Sequence, residues 1–187
     1  MAPHDMRISI DYDGVLCPTP FGRLAVHAPG GVPELPPDYA AHESAPPRPN
    51  PLRLVIECAR FAWRPMAPEA APVLRELTRE HEVYILTGRS GAGRALIERW
   101  LRRAGLAGRV GLRMAPPGLR PAQHKLAACR MLGIGVHIDD DPRTAYYLAE
   151  HGVPRVYLLD HAGAYGEGPR PPRLALARSL VEVVRSL

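Results

Sequence analysis

Apolar and polar positions repeat along this chain with two periods, and the switch from one to the other marks out its elements. In Met6–Leu16, MRISIDYDGVL, Ile8 and Ile10 fall on one side with Arg7 and Ser9 between them, the period of a strand, and the run stops where Asp11, a poor strand former, enters. Short apolar runs over Glu82–Leu86, Arg109–Met114, Gly135–Ile138 and Val156–Leu159 read as four more strands. Between them the period is helical. Leu52–Trp63 carries Arg53, Glu57, Arg60 and Arg64 along one stripe, and Pro68–Arg79 turns Val73, Leu74 and Leu77 inward. A third helix runs from an N-cap at Ser90 through Leu96, Ile97, Trp100 and Leu101 to near Gly105. Pro121 starts a fourth, ended by Gly133; Asp141-Pro142 is an N-cap before a first-turn proline and opens a fifth, which runs to Gly152; Leu174–Leu187 reads as a closing amphipathic helix. Strands alternating with helices predict an α/β fold, a three-layer α/β/α Rossmann-like parallel sheet with helices on both faces.

Two stretches break the alternation. Cys17–Asn50 contains Pro18, Pro20, Pro29, Pro33, Pro36, Pro37, Pro46, Pro47 and Pro49, which forbid long helices, and the Gly30-Gly31 pair marks a turn. It is either a linker or an ordered, irregular loop. Gly163–Pro172 reads as a surface loop.

Composition narrows the classes. A chain of 187 residues with 46% apolar content buries one good core and is short for two full-sized domains, so residues 1–187 are expected to form a single domain. The formal charge of +5 comes from scattered arginines without a basic run, a balance that suits an anionic substrate and argues against a nucleic-acid groove. Cys17, Cys58 and Cys129 are odd in number and lack metal spacing, as expected of reduced thiols in a cytoplasmic protein. No stretch ahead of the first strand has signal-peptide character, and no window reaches the roughly 18 apolar residues of a membrane span.

The residues that carry chemistry gather at predicted strand ends. In open α/β sheets, ligands sit beyond the carboxyl ends of the strands, where Asp11 and Asp13 fall; Asp-x-Asp-Gly is also a common turn composition. Thr87 offers a hydroxyl beside a helix start, a suitable phosphate seat or a strand-end threonine satisfied by its own backbone. Arg89 either meets substrate or pairs with a carboxylate. Lys125, in the first turns of its helix, is either solvated or a fixed counter-charge. His124 has no second ligand at metal spacing and is read as structural. Asp139 and Asp140 are placed to hold a cation, whereas Asp141 is better explained as the helix cap. Asp160-His161 borders this region without an expected catalytic role.

Four of these stretches, in order, resemble the motifs of the haloacid dehalogenase superfamily. Asp11-Tyr12-Asp13-Gly14-Val15-Leu16 is similar to its first motif, Tyr84-Ile85-Leu86-Thr87-Gly88-Arg89 to its second, Lys125 to its third, and Val136-His137-Ile138-Asp139-Asp140-Asp141 to its fourth. Val15 stands where many members carry Thr. The resemblance implies that the first and fourth strands lie side by side at the centre of the sheet. It also implies a small cap or ordered loop over residues 17–66 that sets substrate choice. It further implies a Mg²⁺-dependent phosphomonoester hydrolase working through an aspartyl phosphate. Asp11 would be the nucleophile and Asp13 the acid and base at the leaving oxygen. Thr87, Gly88, Arg89 and Lys125 would bind the phosphate, and Asp11, Asp139, Asp140 and the carbonyl of Asp13 would hold Mg²⁺. Members that cleave carbon–halogen bonds lack an acid two residues after the nucleophile, so Asp13 favours phosphoryl transfer. The implied substrate is a small phosphorylated metabolite such as a nucleotide, as in the small-capped branch that includes deoxynucleotidases. Nucleic-acid end phosphatases, which also carry a Thr-Gly-Arg loop, and a non-catalytic phosphate- or metal-binding module of the same fold are the alternatives. Nothing in the sequence sets an oligomeric state.

Overall fold

The computed structural model of the protein describes residues 6–18, 55, 65–89, 91–116, 118–161, 163, 165 and 170–187. Most of the expected cap over 17–66, with its helix over Leu52–Trp63, lies outside these residues. So do Ser90 and part of the loop over Gly163–Pro172.

Six strands form one sheet in the order β3-β2-β1-β4-β5-β6. They are β1 Arg7–Asp11, β2 Glu82–Thr87, β3 Val110–Met114, β4 Val136–Asp139, β5 Arg155–Leu159 and β6 Leu174–Ala177. Every pairing is parallel. The helices are α1 Ala70–Glu80, α2 Arg94–Arg103, α3 Pro121–Leu132, α4 Pro142–Glu150 and α5 Leu180–Arg185. Because the chain builds outward from β1 to β3 and then returns to place β4 on β1's other side, the strand order reverses between β1 and β4. That reversal opens a crevice at their carboxyl ends.

Strand alternation sends side chains to two apolar layers. Ile8, Ile10, Val83, Ile85, Val136 and Ile138 pack with Val73, Leu74 and Leu77 of α1, Ile97 and Leu101 of α2, and Leu180 and Val183 of α5. Leu86, Val156 and Leu158 pack on the other face with Leu126 and Cys129 of α3 and Ala145, Leu148 and Ala149 of α4. Burial of this kind stabilises by roughly 25 cal/mol per Å² of apolar surface and is what holds short strands in register. Cys17 and Cys129 are both buried. Among the described residues no helix is long and apolar enough to cross a membrane.

Two expected elements differ. Leu174–Leu187 is not one helix: Leu174–Ala177 forms β6 against β5, and α5 begins only at Leu180. The backbone N–H groups of β6 extend the sheet's ladder, while Ser179 caps the helix by accepting from the Glu182 N–H at 3.2 Å. The start of the helix after β2 also differs from a regular α-helical one. A single 3₁₀ turn over Gly91–Gly93 takes the place of its first turn and the α-helix begins at Arg94, as two glycines there disfavour a regular start.

Candidate active site

The local periods of a strand and a helix build the site before any long-range contact is considered. On β1, with Ile8 and Ile10 turned to one layer, Ser9 and Asp11 turn to the other; on β4, Val136 and Ile138 face as Ile8 and Ile10 do, so His137 and Asp139 share the face of Ser9 and Asp11. The two strands pair with Ser9 opposite His137. Over that face lies α3, where Lys125 and Cys129, four residues apart, stand one above the other. The result is two polar rows across an otherwise apolar face. Ser9, His137 and Cys129 form the inner row, and Asp11, Asp139 and Lys125 form the outer row at the crevice.

In the outer row, Lys125 Nζ lies 3.1 Å from Asp11 Oδ1 and 2.8 Å from Asp139 Oδ2. All three groups are buried. Burial works against the charge of Lys125, but Asp11 and Asp139 outweigh it and hold the ammonium well above its ordinary pKa. Asp139 is likewise penalised by burial, yet Lys125 and the hydrogen bond from His137 keep its carboxyl below the usual range. Asp11 moves the other way. Its burial, reinforced by the negative charge of Asp139, exceeds what the shared lysine returns, and its carboxyl is raised.

Asp140 completes the acidic group. Asp11, Asp139 and Asp140 each bring a carboxylate oxygen within 4.8 Å of the other two. Burial and the charge of Asp139 push the Asp140 carboxyl up to about 7. Its side chain lies against Gly14, whose φ is 76° and whose missing Cβ would fall 1.6 Å from Asp140 Oδ2. Among the described residues Lys125 bonds two of these three acids, and burial with mutual repulsion raises the carboxyls of Asp11 and Asp140, a crowding of negative charge that a divalent cation would relieve. All-oxygen donors without thiol or imidazole ligands fit a hard ion such as Mg²⁺. Asp141 stands apart from this group. Its carboxylate accepts from the backbone N–H of Arg143 (3.3 Å) and Thr144 (3.2 Å) and from the Thr144 hydroxyl (2.6 Å), capping α4 ahead of Pro142.

The loop after β2 lies on the far side of Asp13. Thr87 is fully buried and its hydroxyl accepts from the Arg89 N–H at 3.2 Å. Gly88 admits the start of α3, since a Cβ there would fall 2.6 Å from Pro121 Cβ. The Arg89 guanidinium makes a bidentate pair with Asp13, Nε to Oδ2 and Nη2 to Oδ1, both at 2.5 Å. Of the residues singled out in the sequence, Asp11, Lys125, Asp139 and Asp140 are therefore brought together. The Asp13 side chain is turned to Arg89, and Arg89 is itself committed to a carboxylate. His124 is buried with Nε2 unpartnered. Asp160 accepts from the Tyr165 N–H at 3.0 Å, at the end of β5.

Sequence reading passed over Ser9, His137 and Cys129. His137 Nε2 is 2.9 Å from Asp139 Oδ2, its Nδ1 is 2.7 Å from Ser9 Oγ, and Ser9 Oγ is 3.8 Å from Cys129 Sγ. A histidine inside a four-residue buried strand is the signal that was available.

No protein-family model matches the sequence, and no curated protein matches it. Solved structures do match. A haloacid dehalogenase-like family hydrolase from Streptococcus pneumoniae is 16% identical, with 97% of each chain covered and a TM-score of 0.57. A haloacid dehalogenase superfamily hydrolase of subfamily IA from Geobacter sulfurreducens is 14% identical over 100% of both chains, with a TM-score of 0.57. A dehalogenase is 16% identical, covering 69% of this chain and 59% of its own, with a TM-score of 0.53.

Proposed function

We propose that this chain, which has the fold of the haloacid dehalogenase-like hydrolases, is a Mg²⁺-dependent phosphomonoester hydrolase acting on a small phosphorylated metabolite such as a nucleotide. The observation that carries the reading is the meeting of Asp11, Lys125, Asp139 and Asp140 at the carboxyl ends of β1 and β4, with a further acid, Asp13, two residues past the nucleophile. A hydrolase that only displaces halide from carbon has no use for that second acid, because a halide leaves without a proton. An alkoxide does not.

A bound divalent cation, held by Asp11, Asp139 and Asp140, would screen the carboxylates from an incoming phosphate dianion and act as a Lewis acid toward its oxygens. The rest is done by this chain's own side chains. Asp11 attacks phosphorus and forms an aspartyl phosphate, expelling the alcohol; water then cleaves the acyl phosphate and returns the carboxylate. Lys125, anchored to both Asp11 and Asp139, keeps the nucleophile oriented and offers positive charge to the transferring group. Asp13 supplies the proton to the leaving oxygen and later takes one from the attacking water. With both its oxygens accepting from Arg89, Asp13 can do so only after that pair opens. The phosphate dianion is the group able to draw the guanidinium away.

The test is turnover of p-nitrophenyl phosphate with and without Mg²⁺, followed by a panel of nucleotides and sugar phosphates, with halide release from 2-haloacids as the competing reaction. Phosphate release that stops with chelator and is abolished in Asp11→Asn is expected. Halide release without phosphate release would refute the reading.

A further inference from the structure

Three features lie outside the roles given above: the buried Ser9–His137–Cys129 row, the Tyr165 backbone at Asp160, and the unpartnered Nε2 of His124. The first bonds directly to Asp139. We propose that His137 is a positioning residue for the cation, fixing the Asp139 carboxylate so that it presents one defined acceptor position; this rests on the metal-dependent reading above. Asp139 Oδ2 accepts from Lys125 Nζ at 2.8 Å and from His137 Nε2 at 2.9 Å, and Oδ1 accepts from the Asp141 N–H at 3.1 Å. A carboxylate offers about four lone-pair positions, so three are taken and the one remaining is on Oδ1. Without His137 a second position opens on Oδ2, and the carboxylate is free to rotate about Lys125.

The direction of the bonds follows from their chemistry. Asp139 only accepts, so His137 carries a hydrogen on Nε2 whether the ring is neutral or charged. In the neutral ring Nδ1 accepts the Ser9 hydroxyl hydrogen, leaving Ser9 Oγ to accept from the Cys129 thiol. Ser9 thereby sets the plane of the ring as His137 sets the plane of the carboxylate. Ser9, His137 and Asp139 are all fully buried, so water does not take over any of these bonds. Aliphatic residues fill the neighbouring positions Val136 and Ile138; at 137 a donor reaching to Asp139 stands instead, in the relation by which outer partners orient metal-binding carboxylates.

Asparagine and glutamine separate positioning from packing. Both are neutral amides, but the glutamine nitrogen falls near the place of Nε2 and the asparagine nitrogen near that of Nδ1. MgCl₂ is titrated calorimetrically into the full chain, His137→Asn and His137→Gln, with thermal unfolding followed in parallel without Mg²⁺. The asparagine protein should bind Mg²⁺ about 10- to 100-fold more weakly, and the glutamine protein close to the parent. Equal affinity in all three, or equal weakening in both variants alongside equal loss of thermal stability, would overturn the proposal and make the row a packing feature. If His137→Asn does not fold, Ser9→Ala, which releases the far side of the ring, should still weaken Mg²⁺ binding severalfold; unchanged affinity there also overturns it. A parent that binds no Mg²⁺ overturns the metal reading itself, a result distinct from any difference among variants.

Discussion

Replacing Gly14 by alanine separates two costs that one glycine carries. The first is local. At φ 76° a Cβ crowds the following carbonyl, which costs roughly 1–2 kcal/mol for an L-residue. The second is at the site, because the new Cβ would fall 1.6 Å from Asp140 Oδ2 and 2.0 Å from its Cγ. To regain a separation of about 3.5 Å the carboxylate has to retreat by about 2 Å, since the backbone of a tight turn gives less readily than a side-chain tip. That movement takes one of three acids away from the cluster. Losing the partners that merely orient a metal ligand costs about 10- to 100-fold in affinity, so displacing an acid proposed as a ligand should cost at least that much. Gly105 is the control. Its φ is 70° but nothing lies within 4 Å of its Cβ position, so Gly105→Ala isolates the backbone strain. Urea unfolding and Mg²⁺ calorimetry on both variants are the assay. Both should lose about 1–2 kcal/mol of stability, and only Gly14→Ala should lose Mg²⁺ affinity. Parent-like Mg²⁺ binding by Gly14→Ala would refute the placement of Asp140 at the cation.

Asp141→Ala should lower stability by about 0.5–2 kcal/mol through loss of the α4 cap, with Mg²⁺ affinity unchanged, as read by thermal unfolding and calorimetry. Asp13→Asn should slow hydrolysis of an alkyl or sugar phosphate by about 10² to 10⁴ and of an aryl phosphate far less, because the phenolate leaves with little help; equal loss on both would remove Asp13 from the proton transfer. Burial pushes the Cys129 thiol up to about 11. Its raised value means the folded protein keeps this proton while the unfolded chain sheds it above about pH 8.5. Stability is then fully present below that pH and falls as pH rises toward 11. Cys129→Ala should remove up to about 2–3 kcal/mol of this alkaline loss in urea titrations at pH 8 and 10.5.

What could be read in advance was what short stretches decide for themselves. The parallel α/β fold follows from five strand periods and the helices between them. The cap at Asp141 follows from an acid directly before Pro142, a local arrangement complete within three residues. The closing segment reads as one helix because Leu-Ala-Leu-Ala suits either period, and the structure makes it a strand. Ser179 followed three residues later by Glu182 is a helix-start signal that the reading of one continuous helix leaves unused, and the helix does begin just after Ser179. The inner row was not legible for a different reason. Ser9 and His137 each look like a tolerated polar residue on a strand, and only the register of β1 against β4, across 128 residues, makes them a pair. The same is true of Gly14 and Asp140, whose contact is a property of two turns meeting. Arg89 is an intermediate case. The sequence allows it either substrate or a carboxylate, and in the structure it makes a bidentate bond to Asp13.

The central place of β1 also governs how the protein comes to exist in a cell. Its neighbours are joined to it across 75 residues on one side and 128 on the other, as measured by the Arg7–Glu82 and Ser9–His137 contacts. A ribosome working at about 5–20 residues per second takes roughly 6 to 26 s to make the longer stretch. Throughout that interval Ile8 and Ile10, which are wholly shielded in the finished fold, belong to a strand with at least one edge still open. An apolar strand in that condition pairs with whatever strand is nearest, including one from another nascent chain. Yield on overproduction should therefore depend on translation speed and chaperone supply. Substitutions in β4 that leave every active-site group in place should appear first as insoluble protein.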